Sequence, residues 1–498
     1  MPVGFTASGP QGSQFAGMTC AACHTRQISV DGTEHRIDGG PAIVDFQTFL
    51  TDLDAAVKRV LGDDATFQTF ARAVLGVAAP QPDDVVALKE NVKAWYLRYN
   101  TLITLGLPMA PSPPWGPSRL DAVGMIFNRL TGLDLGPPPS FLIPDNIKHA
   151  DAPTRYPFLW NAARQDKTQW PGFAKNGIDL LGLARNLGEV YGVFGVFEPK
   201  KDLWKLYGVN YLNDNSANFN GLGKLEGLIK QIGPPKWPWP VDTALAEKGK
   251  AIYSRPTKGG ACSDCHGIRP GEFPQTWATP VQDVGTDTRE WDILIWEAQT
   301  GELKDTIVPP GLPLRLFGKT DTTFGLLSGS VLGSIIQNFL SPSVAMQEMQ
   351  AAPATVQELQ QAGELKRFHL PPVMQPLTGA YQLPGEPSPS GKKTARDVFE
   401  ARVMEGIWAA APYLHNGSVP TLYDLLLPAD QRPKSFKIGP AYDKVNVGLA
   451  IGQTKFDYTL NTTDCSDRNS GNSRCGHEFG TQLPPEEKKA LLEYLKTL

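Results

Sequence analysis

The chain has 498 residues, long enough for two or three domains that each bury a core. Hydrophobic residues are 41% of it and charged residues 20%, an ordinary globular balance. A formal net charge of −4, with Lys and Arg scattered, gives no case for nucleic acid or an anionic membrane surface as partner, and no apolar stretch approaches the ~20 residues of a membrane-spanning helix.

The opening Met-Pro-Val-Gly-Phe has neither a charged nor an apolar leader, so the expectation is that an export signal has been removed ahead of it. The first pattern that carries chemistry is Cys20-Ala-Ala-Cys23-His24. Asp83–Ile103 is predicted as a helix, with Val85, Leu88, Val92, Trp95, Tyr99 and Leu102 facing one way. Pro108–Pro144 is dense in Pro and Gly and is predicted as packed loop. Four prolines within Ile232–Pro240 forbid continuous helix and mark a boundary, dividing the chain into 1–235 and 236–498. Asp242–Tyr253 is predicted as a helix, with Leu245, Gly249 and Ile252 at i, i+4, i+7, and leads into a second copy of the pattern, Cys262-Ser-Asp-Cys265-His266. Cys465 and Cys475 lie close together in a polar loop and read as a disulfide more than a metal site. Pro484–Leu498 is predicted as an amphipathic closing helix, with Leu491, Leu495 and Leu498 on one stripe.

Two thiols three residues apart sit about one helical turn from each other, which matches the two vinyl groups of a haem, and the adjacent His projects its ring onto the iron. The two motifs predict two covalently bound haem c groups, held by Cys20, Cys23 and His24 and by Cys262, Cys265 and His266. A zinc or redox C-x-x-C would have to explain the His after both copies and the lack of further thiols to complete a tetrahedral set. Gly and Pro, 49 and 44 in number, are spread along the whole chain. The expected fold is mainly α and loop-rich, two cytochrome c-like haem domains with long insertions. Haem c and a disulfide both point to a periplasmic or secreted protein.

Function turns on the sixth iron position, because two saturated irons make an electron carrier and an open one binds O₂ or peroxide. The remaining histidines are His35, His149, His369, His415 and His477, and the internal methionines are Met18, Met109, Met125, Met346, Met349, Met374 and Met404. A lone His is more often a hydrogen-bonded structural residue, and a buried Met core filling. His415 stands out in a tight turn, Ala411–Pro420, crowded with polar donors. His477 stands out two residues after Cys475 and just before the closing helix. Both are candidates for the second haem. Nothing comparable flanks the first, which is expected to be open or weakly ligated.

Ala411–Leu422 resembles the dihaem cytochrome c peroxidase superfamily. Cys20–Arg26 with Arg36–Ala42, Asp151–Trp160, Arg185–Phe194 and Gly476–Gly480 are similar to one branch of it, the rubber oxygenase (A-type) group, over nearly the whole chain. The resemblance implies an N-terminal haem that binds O₂ in a hydrophobic distal pocket and a bis-histidine C-terminal haem for electron transfer. It makes His24 the proximal ligand of the active haem, His266 and His477 the axial pair of the other, and His415 a residue near the haem interface, bonded to a propionate or a water. It lines the distal pocket from Glu189–Phe197, with Phe194 and Phe197 as apolar walls, and makes Trp160 and Trp170 candidates for an aromatic relay. An interhaem calcium, as in some peroxidase relatives, stays open.

Three functions follow. A dioxygenase would add O₂ to, or cleave, a C=C bond of a hydrophobic substrate such as polyisoprene, an isoprenoid or an unsaturated fatty acid. A peroxidase would reduce H₂O₂ with electrons from a small redox protein, and needs a distal acid/base, for which Glu189 is placed. A plain electron-transfer cytochrome would not need the long insertions.

Overall fold

Immediately after His24 the chain folds back: Thr25–Val30 pairs with Thr33–Asp38 across Asp31 and Gly32, both at positive φ (51° and 79°), as a two-residue hairpin turn demands. The computed structural model describes residues 1–10, 14–109, 112–256, 260–309, 315–340, 377, 380–381 and 398–498. His369, Met346, Met349 and Met374 lie outside them. Among the described residues every sheet has two strands, and the larger elements are helices. No described helix is long and apolar enough to cross a membrane.

Helices Phe46–Gly62, Asp64–Leu75 and Pro82–Gly106 follow, the first two capped by the carboxylates of Asp45 and Asp63. The expected helix at 83–103 is therefore present and slightly longer. Its stripe is not wholly inward. Val85, Tyr99 and Leu102 are buried, but Trp95 stacks on Tyr99 from outside and is 42% exposed.

The expected loop at 108–144 is corrected. Ala122–Arg129 is an α-helix that runs on into a π-helical turn, Leu130–Asp134. Asp121 caps it by accepting from the Gly124 amide at 2.8 Å. The helix is buried nearly all round, so it has no polar face and its periodicity cannot show in the sequence.

Pro-rich 232–240 is extended, yet the two largest cores each draw on both sides of residue 235. One packs Phe127, Leu187 and Tyr191 with Trp291, Leu326 and Ile335. The other packs Ile28, Phe158 and Trp160 with Tyr253, Trp408 and Leu491. In the second, helix Thr243–Tyr253, capped by Asp242, crosses helix Pro485–Thr497 so closely that a Cβ on Gly249 would lie 2.0 Å from the carbonyl oxygen of Ala490. Only glycine permits that crossing. Both expected helices stand, the first one residue shorter at its start and the second one residue shorter at each end.

Candidate functional site

The crossing helices hold the second C-x-x-C-H motif. The Tyr253 hydroxyl, on the last residue of the first helix, donates to the His266 carbonyl at 3.2 Å. Cys262–His266 is a short helix, braced by the Ala261 amide on the Asp264 carboxylate at 2.8 Å. The His266 ring is fixed because Nδ1 donates to the Arg402 carbonyl at 2.7 Å, leaving Nε2 as the free ring nitrogen.

Above this motif lies a cavity of about 180 Å³ walled mostly by apolar side chains, among them Leu422, Leu426, Leu491 and Leu495. Cys262, Cys265 and His266 form one side of it, and His477 also lines it. The rings of His266 and His477 stand 6.2 Å apart between centroids. His477 is brought there by its neighbour. Gly476 has φ 78°, and a Cβ on it would meet the Gly285 carbonyl carbon at 2.2 Å, so a larger residue cannot seat the loop. The His477 amide then donates to the Val284 carbonyl at 2.7 Å, and the buried Arg432 guanidinium donates to the carbonyls of Arg474 and Gly476 at 2.6 and 2.7 Å. The Cys465–Cys475 disulfide closes the preceding loop. Burial, then the charges of His266 and Arg432, hold His477 down to about pH 3, and burial lowers His266 as well.

Four side-chain atoms of the cavity's lining residues are buried without a partner among the described residues, His477 Nδ1, Arg155 Nη1, Thr286 Oγ1 and Glu400 Oε1. A cation and an imidazole facing an apolar, slot-lined space fit a flat group with an apolar body, a metal centre and acidic edges. Cys262 and Cys265 would attach a haem covalently, with His266 and His477 the two imidazoles available to its iron.

His415 lines the same cavity from another wall. Its ring stacks on Phe399 at 4.0 Å between centroids, and burial, then Arg155 and Arg468, hold it down to about 3. Both candidate histidines therefore meet one cavity, and His477 is the one whose ring is paired with that of His266. Trp170 lines it too, donating Nε1 to the Arg155 carbonyl while the Arg155 guanidinium lies 4.7 Å from its ring centroid. Trp160 is fully buried instead, stacked on Phe158 at 4.6 Å. Met404 is among the cavity walls.

At the first motif, Cys20–Ala22 forms a 3₁₀ turn and the His24 Nδ1 donates to the Pro157 carbonyl at 2.9 Å. Burial lowers His24 to about 4, so it is a neutral ring at pH 7. The ring beside it is Tyr156, 6.5 Å between centroids. Desolvation, then the Glu189 carboxylate, pushes both motif thiols up, Cys23 to about 12, which places Glu189 within electrostatic reach of this motif. Glu189 is itself raised by burial, and its Oε1 accepts from Gln169 Nε2 at 3.1 Å. It borders a pocket of about 50 Å³ whose other walls include Phe46, Leu102, Met125, Ile126 and Phe194. Phe194 and Glu189 are thus together. Phe197 is turned away into the core, fully buried and stacked on Tyr191 at 4.2 Å, and His24 itself is not one of the pocket's walls.

His35 packs against Trp239 at 5.3 Å, and His149 Nδ1 is shared with the Leu107 carbonyl at 3.1 Å. Both are structural residues. Among the described residues no group of three or more His, Cys, Asp or Glu is arranged to hold a metal ion, and no calcium site is assigned. Arg155, Arg402, Phe399 and Glu400 were not legible as site residues. They carry no spacing pattern, and only the pairing of Val281–Gln282 with Phe399–Glu400 brings the last two to the cavity.

Crossing helices, a C-x-x-C-H helix and a histidine-lined cavity fit the binding of haem c. Residues 398–437, which carry Arg402 and His415, match the family described as RoxA-like, cytochrome c-like. A domain of that kind holds haem c covalently, and the protein is a haem c oxidoreductase. Two proteins of Sinorhizobium fredii are similar to it. One, y4iJ, is 28% identical over 523 residues, covering 97% of this chain and 76% of its own length. The other, y4iM, is 26% identical over 378 residues, covering 71% of this chain and 67% of its own.

Proposed function

We propose that the protein is a dihaem dioxygenase that adds O₂ to, or cleaves, a C=C bond of a hydrophobic substrate, an isoprenoid or rubber-like chain or an unsaturated fatty acid, at the N-terminal haem. The observation that carries the reading is the inequality of the two motif histidines. His266 has a second imidazole, His477, facing it at 6.2 Å, whereas the neighbour of His24 is a tyrosine ring. His24 would hold the haem where chemistry occurs, and His266 with His477 the one that passes electrons. Bound haem supplies O₂ activation and one-electron chemistry. The chain supplies the rest. Phe46, Leu102 and Ile126, with the 36% exposed Phe194, give the pocket bordered by Glu189 apolar walls that would favour an apolar substrate. Arg155, with Nη1 unpaired and buried, would bind an acidic edge of the second haem. A periplasmic or secreted setting fits the disulfide and the haem attachment.

Glu189 favours a second reading, a peroxidase. Its raised carboxyl, partnered by Gln169, is suited to hold a proton and deliver it between two peroxide oxygens. The two are separated by incubating the holoprotein with linoleate or polyisoprene under O₂ without peroxide. Oxygenated product, undiminished in Glu189→Gln, is expected. Rapid H₂O₂ turnover with a reduced cytochrome, lost in Glu189→Gln, and no product from any alkene would sink the dioxygenase.

A further inference from the structure

The two motif histidines are supported by one shared residue. The His24 Nδ1 donates to the Pro157 carbonyl at 2.9 Å. The next carbonyl, that of Phe158, accepts from Arg402 Nη1 at 3.1 Å. The carbonyl of Arg402 itself accepts from the His266 Nδ1 at 2.7 Å. A path from one imidazole to the other therefore consists of covalent bonds and three hydrogen bonds, His24–Pro157–Phe158–Arg402–His266.

Two nitrogens and the face of the Arg402 guanidinium have partners. Its Nε donates to Gln165 Oε1 at 3.0 Å, its guanidinium lies 4.3 Å from the Phe158 ring centroid, and the Glu400 carboxylate stands 3.7 Å away. The residue is 8% exposed and Gln165 is 1% exposed. A cation is costly to bury, and a planar fork in which Nε and Nη1 serve two acceptors while the face covers a ring is a geometry that Lys cannot reproduce. Trp170, the other aromatic link at the cavity, ends on the Arg155 carbonyl and reaches neither histidine's acceptor.

We propose that Arg402 is the coupling residue between the two haems, positioning both axial histidines and forming the route by which one electron passes between them. With both haems bound, that step would oxidise one iron by one electron and reduce the other by one, with no bond broken and no proton moved. Arg402 touches neither substrate nor iron and is a positioning residue. The inference rests on the two-haem reading above.

The test uses the holoprotein and begins with a haem count, since one haem per chain would defeat the two-haem reading itself. With two present, the rate of interhaem electron equilibration after flash reduction and both midpoint potentials are measured in R402K, R402Q and Q165M. R402K keeps the buried charge and so both potentials, but breaks the fork, and equilibration slows by about tenfold or more. R402Q slows it similarly and lowers both potentials, because a cation that favours the reduced irons is gone. Q165M frees the fork without touching either histidine's support and gives a smaller slowing at unchanged potentials, which decides the matter if R402K does not fold. Wild-type rates in R402K and Q165M, with both haem spectra intact, overturn the proposal. So does a slowing reproduced by W170F and absent from Q165M.

Discussion

The ring of His477 faces that of His266 at 6.2 Å between centroids, and the closeness is built by a backbone clash that Gly476 alone avoids. His477→Ala is expected to convert one low-spin haem to high spin in the visible and EPR spectra. His415→Ala, which removes a ring stacked on Phe399, should leave the spin state unchanged. The opposite pair of results would reverse the ligand assignment.

Gly476→Val should produce the His477→Ala spectrum although His477 is still present, because a Cβ would lie 2.2 Å from the Gly285 carbonyl carbon and the loop must move. At φ 78° the substitution should also cost on the order of 1–3 kcal/mol in unfolding free energy. Denaturant melts alongside the spectra check both.

The Cys465–Cys475 bridge spans a separation of 10 residues. Chain entropy assigns a loop of that size about 2–3 kcal/mol. The Cys465→Ser, Cys475→Ser double variant is expected to unfold at correspondingly lower denaturant. Its C-terminal haem should also change spin state before global unfolding, since Cys475 lies two residues from His477.

His415 sets a pH dependence of defined sign. Its folded value, about 3, is below the unfolded 6.5, so above pH 6.5 the ring is neutral in both states and stability is complete. As pH falls below 6.5 the unfolded chain takes up a proton that the folded one refuses. Stability then falls by about 1.4 kcal/mol per pH unit. Asp121 and Glu400, both raised by burial to about 7, tilt the curve the other way, losing stability as pH rises from the unfolded carboxylate range toward 7. The comparison is therefore His415→Asn against the parent between pH 4 and 7. The variant's melting temperature should fall less on acidification.

The local elements around the motifs were legible in the sequence because they depend on short spacings. Cys20-x-x-Cys23-His24 and its second copy, the Cys465–Cys475 pair and the helices flanking the second motif are set by spacings of three to ten residues, where helical geometry leaves little choice. Helix Ala122–Arg129 was not legible, because burial on all sides removes the polar face from which periodicity is read.

The two C-x-x-C-H motifs are alike as sequence, and the chain by itself marks only two places where haem would attach. Tertiary structure decides what makes them unequal. Which histidine faces His266 depends on a glycine meeting a backbone more than 190 residues away in sequence, which of two phenylalanines lines a pocket depends on how the chain turns after Gly192, and the Arg402 fork depends on carbonyls from the first half of the chain. These are contacts between segments far apart in sequence, and no local spacing encodes them.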